Sequence, residues 1–379
     1  MAACLGMLLF GIVLISLGSI MPSILSEYSL GNAQAGILAS LLPTGILLGS
    51  VIFGPIVDRF SYRIFLVMCS LLIIAGLEGI AISTNLLSLQ ASIFLIGFGG
   101  GMINGGTNAL VADISESRAD ERSANLSFLG VFFGIGALGV PSVLASLSSF
   151  WNYNQILQMT GYLLFLPLIY FLTITYPTPK IRAASLTNTI AMASDKRLWV
   201  LGFFLFFQSA LEGVANNWTT TFLQSENKME SSHALVALSI FVLSLTITRL
   251  LLAWLLRRMD PIRVLLISIG VLIAASLLMA STNTPILLIA ALALLGIGSA
   301  AGFPVVLGYA GELYSELRGT AFSFIFVIAL WGNILINYLT GLAAHRYGIE
   351  IYPWILLMCG ASLTLIGTTK LHHLVRKIH

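Results

Sequence analysis

Charge is what this chain has least of. Of 379 residues, 18 are Lys or Arg and 15 are Asp or Glu, 9% in all, where a soluble globular domain carries about a quarter. Most of the surface must therefore face something other than water, and the net charge of +3 gives no case for a nucleic-acid partner. Cysteine is nearly absent. Cys4, Cys69 and Cys359 lie far apart in apolar segments, a spacing that fits neither a metal site nor a disulfide framework. His233, His345, His372, His373 and His379 all fall in loops or the tail, which excludes a histidine proton relay buried in the apolar segments. The chain has no long polar stretch beyond 176–197, and no HExxH, P-loop, paired-cysteine or elbow-serine motif, so no enzyme chemistry or bound cofactor is indicated. The first twenty residues lack the basic leader and small-residue cleavage site of a signal peptide, and read as a membrane span.

Apolar runs are what the chain has in abundance. They reach about twenty residues, enough to cross roughly 30 Å of hydrocarbon as a helix. Charged and Pro/Asn-rich breaks divide them into twelve spans: 4–25, 33–56, 64–83, 89–112, 123–147, 155–175, 198–223, 233–256, 262–281, 285–310, 319–343 and 351–370. Lys and Arg sit almost entirely on one side of this arrangement, 15 of 18, with only Lys228 and Arg346 opposite and Arg249 inside a span. The crowded side is cytoplasmic by the positive-inside rule, and an even span number puts both termini there.

The chain also repeats at an offset of about 200 residues. Asp58-Arg59-x3-Arg63 after span 2 is echoed by Arg257-Arg258-x-Asp260-x2-Arg263 after span 8, and Asp113 to Arg118 after span 4 by Glu312 to Arg318 after span 10. The expectation is an all-α membrane protein with twelve transmembrane helices in two pseudo-symmetric six-helix bundles, 1–175 and 198–371. A cytoplasmic linker, 176–197, joins them, and 372–379 is a cytoplasmic tail. Transporters are built from such parallel repeats, with the substrate site near the midplane.

Three motifs carry chemistry. The first is Gly54-Pro-Ile-Val-Asp58-Arg59-Phe-Ser-Tyr-Arg63, an acid and two arginines at a cytoplasmic helix end. It resembles the loop 2–3 signature of the major facilitator superfamily, Gly-x3-Asp-Arg-x-Gly-Arg-Arg, with Ser61 and Tyr62 in place of a glycine and a base. The second runs from Gly99 to Pro141 and holds Asn104 and Asn108, four apart on one helix face, together with the glycines of span 5. Amides are costly in lipid, so that face should meet protein or a wet cavity. This stretch is similar to spans 4–5 of the fucose-permease-like sugar symporters, and Pro141 falls later than the Gly-Pro pair of drug antiporters. The third is Gln208-Ser-Ala-Leu-Glu212-Gly-Val-Ala-Asn216-Asn217-Trp218 in span 7. Gln208, Glu212 and Asn216 share one face, and an acid inside an apolar span points to function. It resembles the Gly-x-Glu-x5-Trp pattern of sugar symporters, with Ala210 for the glycine. Its plainer reading is a structural acid paired with an arginine of another helix.

The resemblance implies alternating access and a bacterial inner-membrane monomer. Its substrate would be a small neutral polar solute, most readily a monosaccharide or polyol. Candidate ligands are Asn104, Asn108, Gln208, Asn216, Asn217, Trp218, Trp331, Asn333 and Asn337, with Trp218 stacking on a sugar ring. Asp58, Arg59, Arg63, Arg257 and Arg258 would latch the cytoplasmic gate. Arg249 belongs either to that gate or to an acid. The usual symporter acids of spans 1 and 4 are missing: Gly18 and Asn104 occupy their places. Three couplings stay open: a proton on Glu212, sodium held by Glu212 and amide oxygens, or none. An exporter of amphipathic compounds, suited to Phe128, Phe132, Phe133, Phe203, Phe204, Phe206 and Phe207, is the rival within the same fold.

Overall fold

A computed structural model describes the backbone of residues 1–114, 119–177, 194–256, 258–314 and 318–371. Side chains at 54, 55, 58, 59, 112, 113, 119–128, 253, 318–320, 370 and 371 are outside that description. Among the described residues twelve helices are long and apolar enough to cross a membrane. They are Ala2–Glu27, Asn32–Phe53, Tyr62–Ile82, Leu86–Val111, Leu129–Leu147 and Tyr153–Thr173, then Lys196–Ser225, Ser231–Leu252, Pro261–Ser281, Pro285–Leu313, Ala321–Tyr347 and Ile349–Thr369. These are spans 1 to 12. Several overrun the apolar runs by about a turn, as in span 7, because backbone hydrogen bonding does not stop where hydrocarbon does.

Local chemistry sets the ends. Ser61, Asp195 and Asp260 cap the helices of spans 3, 7 and 9, accepting from the amides of Ile64, Arg197 and Ile262. Pro261, Pro285 and Pro353 sit in first turns, where the missing N–H costs nothing. Gly348, at φ +84°, ends span 11 in a conformation that a side chain would oppose. Two spans are broken where the sequence suggested continuity. Span 6 is Tyr153–Leu163 followed by Phe165–Thr173. Span 10 is Pro285–Ser299 followed by Gly302–Leu313, interrupted at Ala300 and Ala301.

The chain forms two compact units: residues 1–182 with 230–239, and 183–229 with 240–379. In the first, span 2 packs on span 4, span 3 on spans 4 and 6, and span 1 on spans 4 and 5. Gly45 and Gly49 face Gly97 and Gly101 so closely that a methyl group at any of the four would strike the opposing backbone, the small-residue packing of helices in lipid. In the second unit span 11 packs along span 7, and spans 10 and 12 pack on span 9.

Candidate functional site in the second unit

Span 7 carries twenty buried residues, seven of them polar. A helix this polar survives inside an apolar bundle only if its groups find partners. On the face shared by Gln208, Glu212 and Asn216, the first two find them in spans 8 and 10. Arg249 Nη2 donates to both carboxylate oxygens of Glu212 at 2.9 Å. The two side chains are 29% and 15% exposed, so the pair is only partly wetted. Gln208 Nε2 donates to Glu212 Oε1 at 3.0 Å and to the carbonyl of Ser299 at 2.9 Å. Ser299 is the last residue before the break in span 10, where a helix leaves carbonyls without helical partners. Gln208 thus links the acid to that break.

The neighbouring face of span 7 is zipped to span 11 by amides. Asn333 Nδ2 donates to the Ser209 carbonyl at 3.1 Å. Asn337 Nδ2 donates to Asn333 Oδ1 at 2.8 Å. Asn337 Oδ1 in turn accepts from Asn217 Nδ2 at 3.2 Å and from Trp218 Nε1 at 3.1 Å. Gly213 leaves the room that the Asn333 amide occupies. One turn on, the Thr219 hydroxyl meets the Tyr352 hydroxyl of span 12 at 2.6 Å.

These contacts revise several expectations. Trp218 is 0% exposed and its N–H is spent on Asn337, so it offers no open ring face to a sugar. Asn217 and Asn337 are buried in the same zipper. Trp331 is 55% exposed and does not join the amides: two residues before Asn333, it lies about 200° around the helix. Arg249 is the partner of the acid. Gln208 and Asn216 are buried, and Asn333 is partly buried. In the first unit Asn108, exposed, donates to the carbonyl and side-chain oxygen of Asn104 at 2.8 and 3.2 Å, so the two do share a face.

Of the gate residues, exposed Arg63 donates to the Ile174 carbonyl at 2.9 Å, and Arg258 lies over the Trp254 ring at 4.4 Å. The side chains of Asp58 and Arg59, and Arg257, lie outside the described residues. At the N-terminal end of span 7, Asp195 accepts from the Arg197 side chain and backbone and from the Tyr314 hydroxyl. Burial pushes its carboxyl up, but those donors outweigh it and leave it below the usual carboxylate value. Sequence reasoning missed Ser209, Ser299 and Tyr314. The first two contribute main-chain oxygens, which no side-chain pattern reveals.

Twelve candidate membrane spans among the described residues, the seventh lined with buried polar groups, define a polytopic membrane protein. The sequence pattern of the Major Facilitator Superfamily matches residues 3–282 and 219–372, and the chain belongs to that family; it is a multi-pass membrane transporter. It is 26% identical over 348 residues to the glucose/mannose transporter GlcP of Bacillus subtilis (strain 168), covering 89% of this chain and 85% of that one. The fold matches crystal structures of the nucleoside transporter NupG, with TM-score 0.79, 19% identity and coverage of 98% and 97%. It also matches the D-xylose-proton symporter, with TM-score 0.75, 16% identity and coverage of 97% and 96%.

Proposed function

We propose that this chain moves a neutral sugar-like solute, a monosaccharide or polyol, by alternating access. The observation that carries the reading is the pairing of Glu212 with Arg249. It cancels the charge of an intramembrane acid and leaves a polar surface of uncharged amides, which suits hydroxyls better than a carboxylate or an amine. The likeness to a glucose/mannose transporter along 89% of the chain supports the same substrate class. The solute would meet Asn104, Asn108, Gln208, Asn216 and Asn333, with Asn217, Trp218 and Asn337 holding span 7 to span 11 behind them.

Coupling in this reading is symport with a proton or sodium, with Glu212 exchanging Arg249 for the ion. An acid kept inside a span at a cost in free energy argues for such a role. The protein would sit as a monomer in a bacterial inner membrane with both termini cytoplasmic, as its Lys and Arg distribution favours. Asp58, Arg59, Arg63, Arg257 and Arg258 would latch the cytoplasmic side.

The test is uptake of labelled sugars by proteoliposomes, with and without proton and sodium gradients. Saturable, gradient-driven accumulation is the expected result, and Glu212→Gln should abolish accumulation while sparing sugar counterflow. Absence of saturable flux for every sugar tried would overturn the substrate class. Accumulation at the wild-type level in Glu212→Gln would remove the acid from coupling.

A further inference from the structure

A helix end leaves carbonyls without helical partners, and span 10 has such an end in its middle: the helix stops at Ser299 and restarts at Gly302. One side chain of span 7 touches both edges of that gap. Gln208, 2% exposed, donates from Nε2 to the Ser299 carbonyl at 2.9 Å. A methyl group added to Gly302 would collide with the Gln208 amide, so that amide also packs directly on the restart. The same Nε2 donates to Glu212 Oε1 at 3.0 Å. Chemistry fixes the orientation of the amide, because its flipped form would turn an oxygen toward a carboxylate and a carbonyl. Gln208 is therefore held between one charged acceptor and one joint.

The half-helix beyond the joint is tied to span 7 a second time. Gly302–Leu313 has 12 residues, about 18 Å of helix. Just past its end the Tyr314 hydroxyl donates to Asp195 Oδ2 at 2.7 Å. About 20 Å of span 7 separates Asp195 from Gln208. The half-helix and span 7 thus run side by side in opposite directions, fastened at both ends. A rod cut from the rest of its span and fastened at two points swings when one fastening yields, and a few residues such as Ala300 and Ala301 are enough to absorb the change.

We infer that Gln208 is a positioning residue: it passes the state of Glu212 to the joint in span 10 and, through the half-helix, to the Tyr314–Asp195 contact about 25 Å from the acid. This rests on the reading of Glu212 as the acid that takes up a proton or sodium. A hydrogen bond to a charged acceptor is about twice as strong as one to a neutral acceptor, so an ionised Glu212 holds the amide against Ser299 and Gly302. An ion on Glu212 cancels that charge and loosens the amide, and the joint changes its angle. An ion that binds better to one angle shifts the balance between the two. Linkage makes the effect reciprocal, so the Tyr314–Asp195 contact sets in turn how well Glu212 takes its ion.

The experiment measures the joint and not transport. Gly270 in span 9 and Gly308 in the half-helix are both exposed, and a side chain at either meets nothing within 4 Å. Spin labels on Gly270→Cys and Gly308→Cys, in the full-length protein in nanodiscs, report their separation; Cys4, Cys69 and Cys359 are buried and stay unlabelled. Glu212→Gln keeps the shape of the acid and removes its charge. It should shift the separation by about 3 Å, the displacement that a turn of about 20° at the joint produces about 9 Å along the helix. Gln208→Met fills the same space without the N–H groups, and on that background Glu212→Gln should produce no shift. A change caused by the unpaired Arg249 alone would persist there. Gly302→Ala crowds the amide from the other side and should move the labels with Glu212 intact. A shift that survives in Gln208→Met, or an unchanged separation in Glu212→Gln or in Gly302→Ala, would overturn the inference. The separation needs no sugar and no gradient. Wild-type accumulation by a Glu212→Gln protein whose labels have moved would strike the coupling role of Glu212 and leave the joint standing.

Discussion

The Glu212–Arg249 pair permits a quantitative test. At 2.9 Å and an effective dielectric of about 20, the direct attraction is about 5–6 kcal/mol. Taking both groups out of water cancels much of this. What survives is the cost of orphaning one partner, about 3 kcal/mol for a buried pair, and the partial exposure of these two side chains lowers it toward about 2 kcal/mol. Gln208 adds a neutral hydrogen bond to the same carboxylate, about 1 kcal/mol. Arg249→Gln and Glu212→Gln should therefore each destabilise the protein by about 2 kcal/mol. The double variant should cost clearly less than their sum, leaving a coupling energy of about 1.5–2 kcal/mol of the kind such cycles resolve. Reversible denaturant unfolding in mixed micelles, followed by tryptophan fluorescence, measures all four proteins. Additive costs would refute the pair as an energetic unit and return Arg249 to the cytoplasmic gate.

Two further outcomes follow from the same geometry. Trp218→Phe keeps an aromatic ring but removes the N–H to Asn337 and part of the buried indole volume, so it should cost about 2 kcal/mol of stability and leave the apparent KM for sugar unchanged; a KM raised with stability intact would restore Trp218 as a substrate ligand. Asp195→Ala should cost about 1 kcal/mol for the lost helix cap. Because the folded carboxyl titrates below its ordinary value, that difference should be fully present above about pH 4 and fade only as pH falls through the lower folded value. Unfolding midpoints of the two proteins at a series of pH values check this, and a difference that vanishes near neutrality would contradict it.

Much of the protein is fixed by the sequence alone, and for a simple reason. Lipid leaves the backbone no partner but itself, so twenty apolar residues dictate a helix whatever surrounds them. The one-sided distribution of Arg and Lys predicts the side on which its ends lie. Glu212 stood out for the same reason, as an acid where charge is costly. The companions of that acid were not legible. Arg249 lies 37 residues away on another helix, and only packing brings its guanidinium to the carboxylate. Trp218 and Asn217 look like ligands in a motif, yet the fold turns them toward Asn337 and buries them. Ser299 matters through a carbonyl freed by a break in span 10, and a main-chain oxygen has no sequence signature. Hydropathy acts residue by residue and can be read in one dimension. Hydrogen-bond partners depend on which helix faces meet, and that only the tertiary structure decides.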